Sequence, residues 1–135
     1  MDMFTSSEAF SSFSVDDIDK AKRFYGETLG LSVTEGMMGN LEVRLGNGAQ
    51  LFIYVKPDHV PASFTVLNFM TDDVEKTVGE LNARGVTTKI YGDADLADMP
   101  PNDEKGIMRD EEDRAQIAWF TDPAANVLAV VAESM

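Results

Sequence analysis

The 135-residue chain contains no cysteine. Disulfides, thiol nucleophiles and cysteine metal sites are therefore excluded, and the composition fits a cytoplasmic protein. Histidine and tryptophan occur once each, as His59 and Trp119. No apolar run reaches the ~20 residues that a membrane-spanning helix needs. The opening residues, Met-Asp-Met-Phe-Thr-Ser-Ser-Glu, offer no basic segment followed by an apolar one, so a secretory signal is not expected. Positive charge is scarce as well: 11 Lys and Arg stand against 24 Asp and Glu, a formal net charge of −13. Phosphate backbones and anionic lipid repel such a chain, which excludes nucleic acid and membrane surfaces as expected partners. The acidity serves solubility first, and it leaves room for a neutral or cationic partner.

What the chain does have is a repeat. Phe13-Ser-Val-Asp-Asp-Ile-Asp-Lys is answered 56 residues on by Phe69-Met-Thr-Asp-Asp-Val-Glu-Lys. A long period seen only twice indicates one duplicated supersecondary unit, not a solenoid of three or more. The apolar fraction, 44%, is enough to give each copy a core. Each copy reads as a strand end, a helix cap and a helix. Asp16 and Asp72 are the expected N-caps, with the following acids in the first helical turn, where the helix dipole favours them. The pairs Asp16-Asp17 and Asp72-Asp73 are accordingly read as caps and not as acid–base dyads. Ile18, Ala21, Tyr25 and Leu29 keep helical spacing, as do Val74, Val78 and Leu81. Gly30 and Gly85 are the expected left-handed stops.

Strands are expected over residues 9–15, 31–34, 41–45 and 49–55, the last two joined through Asn47-Gly48. Alternation puts Gln50, Phe52 and Tyr54 on one face and Leu51, Ile53 and Val55 on the other, and with both faces largely apolar the strand is expected to lie between two layers. A linker over 57–62 separates module 1 (about 8–56) from module 2 (about 63–133). Module 2 is expected to repeat the order with strands at 63–70, 86–91, 116–120 and 127–131. In the first of these, Phe64, Val66 and Asn68 share a face opposite Thr65, Leu67 and Phe69. The symmetry breaks at 92–114, a long acidic segment with paired prolines. It is read as a solvated loop in preference to a lid, because it has too little apolar surface to hold a structure alone. Its run Asp110-Glu-Glu-Asp113 lacks the spaced ligands and glycine of a calcium loop.

The residues Val15-Asp-Asp-Ile18, Phe24-Tyr-Gly-Glu-Thr-Leu-Gly-Leu31, Thr71-Asp-Asp-Val74, Leu81-Asn-Ala-Arg-Gly85 and Phe120-Thr-Asp-Pro-Ala-Ala-Asn-Val-Leu128 together resemble the vicinal oxygen chelate superfamily. That group includes glyoxalase I, extradiol dioxygenases, fosfomycin-resistance enzymes and bleomycin-resistance proteins. The likeness covers nearly the whole chain, with 92–114 the poorest fit. Ala125 departs from the glycine often found in that turn. The resemblance implies an α+β fold of two βαβββ modules, a curled mixed sheet around a cleft, and a homodimer.

It also implies four metal-ligand points, one on the first and one on the last strand of each module. Here they fall on Phe10, Phe52, Val66 and Ala129. None has a lone pair for a divalent ion, and the residues on either side are no better. No metal and no cofactor is therefore expected. The cleft side is left with Phe10, Ser12, Gln50, Phe52, Tyr54, Phe64, Val66, Asn68, Trp119 and Ala129, aromatic and small polar. Such a set suits a flat organic ligand, and Trp119 and Tyr54 suit a cationic one. The reading is a metal-free small-molecule-binding protein resembling the drug-resistance branch. The alternatives are a glyoxalase-like lyase or isomerase using Tyr54, Asn68 or a loop carboxylate, and a dimeric interaction module with no small ligand. No catalytic residue is identified. His59 is read as a surface linker residue with no evident partner.

Overall fold

The computed structural model describes residues 3–92, 101–113 and 115–133. The chain divides into two compact units, Met1–Val60 and Pro61–Met135, each with one four-stranded mixed sheet. Among the described residues no helix is long and apolar enough to cross a membrane.

The first unit contains β1 (Ser11–Val15), α1 (Ile18–Arg23), β2 (Ser32–Glu35), β3 (Leu41–Arg44) and β4 (Gln50–Val55). The sheet order is β1-β4-β3-β2, with β1 parallel to β4 and the other pairs antiparallel. The helix cap lies one residue later than expected. Asp17, extended at φ −143°, accepts hydrogen bonds from the amides of Asp19 and Lys20, while Asp16 stays outside. The apolar Ile18 then takes the first helical position, and the carboxylate sits over the second and third amides, where an N-cap acts.

After Arg23 the helix widens into a π turn, Phe24–Thr28, in which the Leu29 amide reaches the Phe24 carbonyl. Adjacent residues of a regular α-helix diverge by a quarter turn or more. The wider turn lets Phe24 and Tyr25 both go inside, at 9% and 0% exposure. Tyr25 meets Phe13 at 6.0 Å and Phe24 at 5.1 Å. Gly30 closes the helix at φ +75°. The hairpin turn runs through Gly48 at φ +83°, with the Asn47 side chain accepting from the Ala49 amide. Val15, Leu41, Val43, Leu51 and Ile53 form the buried side of the sheet. Val55, expected with them, is 44% exposed because it stands at the end of its strand.

The second unit contains β5 (Thr65–Met70), α2 (Val74–Ala83), β6 (Met108–Arg109), β7 (Ala115–Thr121) and β8 (Val127–Glu133). Its sheet order, β5-β8-β7-β6, repeats the first, again with one parallel pair. Asp73, not Asp72, caps α2 by accepting from the Lys76 amide. Val74, Val78 and Leu81 are buried on the side facing β7 and β8. Each such side chain contributes about 2 kcal/mol. Below them lie Leu128, Val130, Ala118 and Phe120, all at 3% exposure or less.

The strand expected over 86–91 does not form, and the short β6 takes the outer place beside β7. Side chains occupy the backbone of 86–91 instead. Asn82 donates to the Val86 carbonyl and to Thr88 Oγ1, and Thr88 Oγ1 donates to the Lys105 carbonyl at 2.6 Å. Lys89 bonds Asn102, whose amide donates to the Tyr91 carbonyl. Local polar bonds of this kind compete with a ladder.

Residues 101–113 are accordingly more than a solvated loop. Ile107 is 1% exposed, and Gly106 lies against Thr88 so closely that a Cβ would sit 2.0 Å from its carbonyl oxygen. Asp103 ties the turn, accepting from the Lys105 and Ile107 amides and from Arg109, each at 2.9 Å. Residues 93–100 of the acidic segment lie outside the described residues.

The turn into β8 is built on a buried pair. Asp122 Oδ1 accepts from the amides of Ala124 and Asn126, and Oδ2 from the Asn126 side chain. This leaves Ala125 at φ +67°, a left-handed position for an L residue.

Three outcomes follow. Gly106→Ala combines φ +86° with overlap of the Thr88 carbonyl, and should cost about 3 kcal/mol in a urea titration. An unchanged midpoint would refute the packing. Ala125→Gly relieves about 1–2 kcal/mol of left-handed strain against a smaller gain in unfolded-chain entropy, and should raise the melting temperature by a few degrees, about 2–4 °C. At Asp103, burial pushes the carboxyl up, but the Arg109 hydrogen bond and the Ile107 and Lys105 amides outweigh it and hold the value low. A depressed carboxyl stabilises the fold above its unfolded value, about pH 4, and the contribution is lost as pH falls through the folded value. Asp103→Asn should thus be less stable than the parent at pH 7, with the gap closing in acid; a gap independent of pH would contradict this.

Candidate ligand-binding faces

With one helix on one side of each sheet, the alternate side chains of every strand emerge on the other side. In the first unit the strand register aligns them in rows. Ser12, Phe52, Glu42 and Thr34 are cross-strand neighbours, as are Gln50, Arg44 and Ser32, and Ser14 pairs with Tyr54. The Phe52 and Tyr54 rings stack at 6.2 Å with 20° between planes, and Phe10 meets Phe52 edge-on at 6.3 Å. Phe52 and Tyr54 are half-buried, whereas Phe10, just before β1, is 66% exposed. Ser12 and Gln50 are exposed beside them. A dent of about 80 Å³ on this face is lined by Ser32, Thr34, Glu42, Val43, Arg44 and Gln50. A second concavity of the unit, a groove of about 650 Å³ along α1, lies among Asp19, Lys22, Arg23, Gly26, Glu27, Leu31 and Val33.

His59 differs from its reading as a partnerless surface residue. Its Nδ1 lies 2.6 Å from Ser14 Oγ, and both residues are half-buried. The chain after β4 is folded back to make this contact: the Lys56 amide donates to the Val15 carbonyl, and the His59 amide to the Lys56 carbonyl. No local signal links positions 45 residues apart. Only the parallel pairing of β1 with β4 brings them together.

In the second unit, Asn68, Ala129 and Trp119 form one row across β5, β8 and β7. Ala129 is fully buried, so it forms floor, while Asn68 is exposed and Trp119 half-buried. Phe64, before β5, is 68% exposed. At Val66 the register slips between Thr65 and Leu67. A bulge of this kind reverses alternation beyond it. Thr65, expected on the side of Leu67 and Phe69, accepts from Trp119 Nε1 at 3.2 Å. Tyr91 also joins, edge-on to Trp119 at 5.3 Å. Both Thr65 and Tyr91 escape sequence reasoning, the first because a bulge has no signature here, the second because its segment reads as a regular strand.

The four points at which the resemblance implies metal ligands carry hydrocarbon side chains: Phe10, Phe52, Val66 and Ala129. Among the described residues no three His, Asp or Glu side chains are grouped to hold an ion. Glu42 neighbours Phe52, but a single carboxylate is not a ligand set. The residues present do not fit a catalytic divalent metal at these points.

Comparison with known proteins agrees with this architecture. Residues 12–46 match the family described as bleomycin resistance protein-like N-terminal. No curated protein matches the chain. Among solved structures, an antibiotic binding protein from Streptomyces sp. CB03234, TnmS3, shares 28% identity at a TM-score of 0.64, over 96% of this chain and 99% of that one. A glyoxalase family protein from Enterococcus faecalis shares 20% identity at 0.67, over 96% and 99%. A member of the glyoxalase/bleomycin resistance protein/dioxygenase superfamily from Sphaerobacter thermophilus shares 22% at 0.67, over 94% and 98%. The two βαβββ modules have the fold of these structures, and the N-terminal match lies over the first of them, as the resemblance to the vicinal oxygen chelate superfamily implies.

Proposed function

We propose that the protein binds a small organic ligand in the manner of the bleomycin-resistance branch, that the ligand is aromatic and cationic, and that no metal takes part. One observation carries the reading. The helix-free sheet faces present stacked or edge-on rings, Phe52 with Tyr54 and Trp119 with Tyr91, where enzymes of the superfamily have metal ligands close by. Aromatic faces attract cations as well as flat rings, by about 0.5–2 kcal/mol for each well-placed contact. The net charge of −13 adds a long-range field of the right sign. The likeness to an antibiotic binding protein at 28% identity supports the same class of ligand. A second reading, an enzyme of the superfamily, is favoured by a different feature, the hydroxyl that His59 holds at 2.6 Å.

Proflavine, a planar aromatic cation, is a suitable first probe. A ligand at 100 times its dissociation constant stabilises the folded state by about 2.7 kcal/mol. The melting temperature should rise with proflavine, the rise should shrink in high salt, and Phe52→Ala and Trp119→Ala should each reduce it. Elemental analysis of the same protein should find no stoichiometric zinc, nickel, manganese or iron. A panel of aromatic cations that leaves the melt unmoved, or a stoichiometric metal, would overturn the proposal.

A further inference from the structure

We infer that Ser14 and His59 form a nucleophile and base able to transfer an acyl group from an aryl ester. Serine is a weak nucleophile until a neighbouring base takes its proton, and the required arrangement is a hydroxyl within about 2.6–3.2 Å of an imidazole nitrogen. Ser14 Oγ and His59 Nδ1 are 2.6 Å apart, in half-buried surroundings. The base is held by backbone, not by chance of rotamer alone: the 56–59 turn is fastened to the end of β1 by the Lys56 amide and closed by the His59 amide. The hydroxyl opens on a useful surface. Ser14 is the direct cross-strand partner of Tyr54, and Tyr54 stacks on Phe52. An aromatic leaving group lying on those rings brings its ester carbonyl to the end of the sheet where Ser14 stands. Metal assistance is not required, because the imidazole supplies the proton transfer that a metal-bound hydroxide would otherwise make unnecessary.

The steps balance without any further reagent. With the imidazole hydrogen on Nε2, Nδ1 accepts the Ser14 proton as Oγ forms a bond to the carbonyl carbon. The bond from that carbon to the aryl oxygen breaks, and the phenolate leaves with the electron pair and takes the proton from Nδ1. Water then attacks the acyl carbon while Nδ1 accepts its proton. Ser14 Oγ departs, recovers that proton, and a carboxylic acid is released. This inference goes beyond the binding role and fails separately from it, since it is read by covalent capture and not by affinity.

The probe is p-nitrophenyl acetate. Rapid mixing should show a burst of p-nitrophenolate up to one equivalent of protein, and peptide mass analysis after quenching should place the acetyl group on Ser14. Ser14→Ala should abolish burst and adduct. His59→Asn retains an amide able to hydrogen-bond Ser14 but removes the base, and should slow the burst by about 100-fold or more with an unchanged circular dichroism spectrum. Ser63→Ala, an exposed serine outside the site, should behave as the parent. Acetylation confined to lysines, the absence of a burst, or a His59→Asn protein acetylated at the parental rate would each overturn the inference.

Discussion

A four-stranded sheet has two faces, and among the described residues each unit provides one α-helix. That shortage governs the rest. The helix-covered face takes the fully buried apolar side chains: Leu41, Val43, Leu51 and Ile53 in one unit, Leu128, Val130 and Phe120 in the other. The uncovered face cannot be aliphatic without exposing a greasy surface to water, and it cannot be fully charged without separating the strands. Aromatic rings with small polar neighbours meet both demands. Phe52 and Tyr54 stack on each other in the first unit, Trp119 meets Tyr91 in the second, and all three of Phe52, Tyr54 and Trp119 are half-buried. A surface suited to flat ligands is thus a by-product of how such a module solves its own packing.

Much of this was legible from periodicity. The duplicated Asp-Asp motif locates both helices, and alternation separates Gln50, Phe52 and Tyr54 from Leu51 and Ile53. The failures have definite causes. Both caps fall on the second aspartate because an apolar residue occupies the first helical position, a preference of register that the paired acids conceal. The strand expected at 86–91 has good β-propensity, but the Asn82 and Asn102 side chains occupy its Val86 and Tyr91 carbonyls. Thr65 changes face through a bulge, and His59 gains its partner only through a parallel pairing. The caps and the missing strand are local hydrogen bonds that the sequence pattern conceals, whereas Thr65 and His59 are placed by partners far away in sequence.

The acidic character also looks different in three dimensions. In the described part of the acidic segment, Arg109 is shared between Asp103 at 2.9 Å and Asp113 at 3.5 Å, and Lys105 lies 3.8 Å from Glu75. Arg109 stands where Asp103 organises a turn. Exposed pairs such as Lys22–Glu35 and Lys56–Asp58 contribute little to stability. The excess negative charge is therefore left over for the surface, where its effect is on encounter with charged solutes and not on the fold.

The parallel pairs have a consequence for how the chain is made. Ser11 meets Leu51, 40 residues later, whereas Thr65 meets Val127 across 62. Neither sheet can be completed until its last strand leaves the ribosome, and the first unit has all four of its strands once Val55 has emerged. Synthesis at about 5–20 residues per second then leaves it several seconds to fold before the second unit is complete. The wider span of the later unit adds only about 0.4 kcal/mol of closure entropy. Order of emergence, more than any difference in chain entropy, sets which half can become native first.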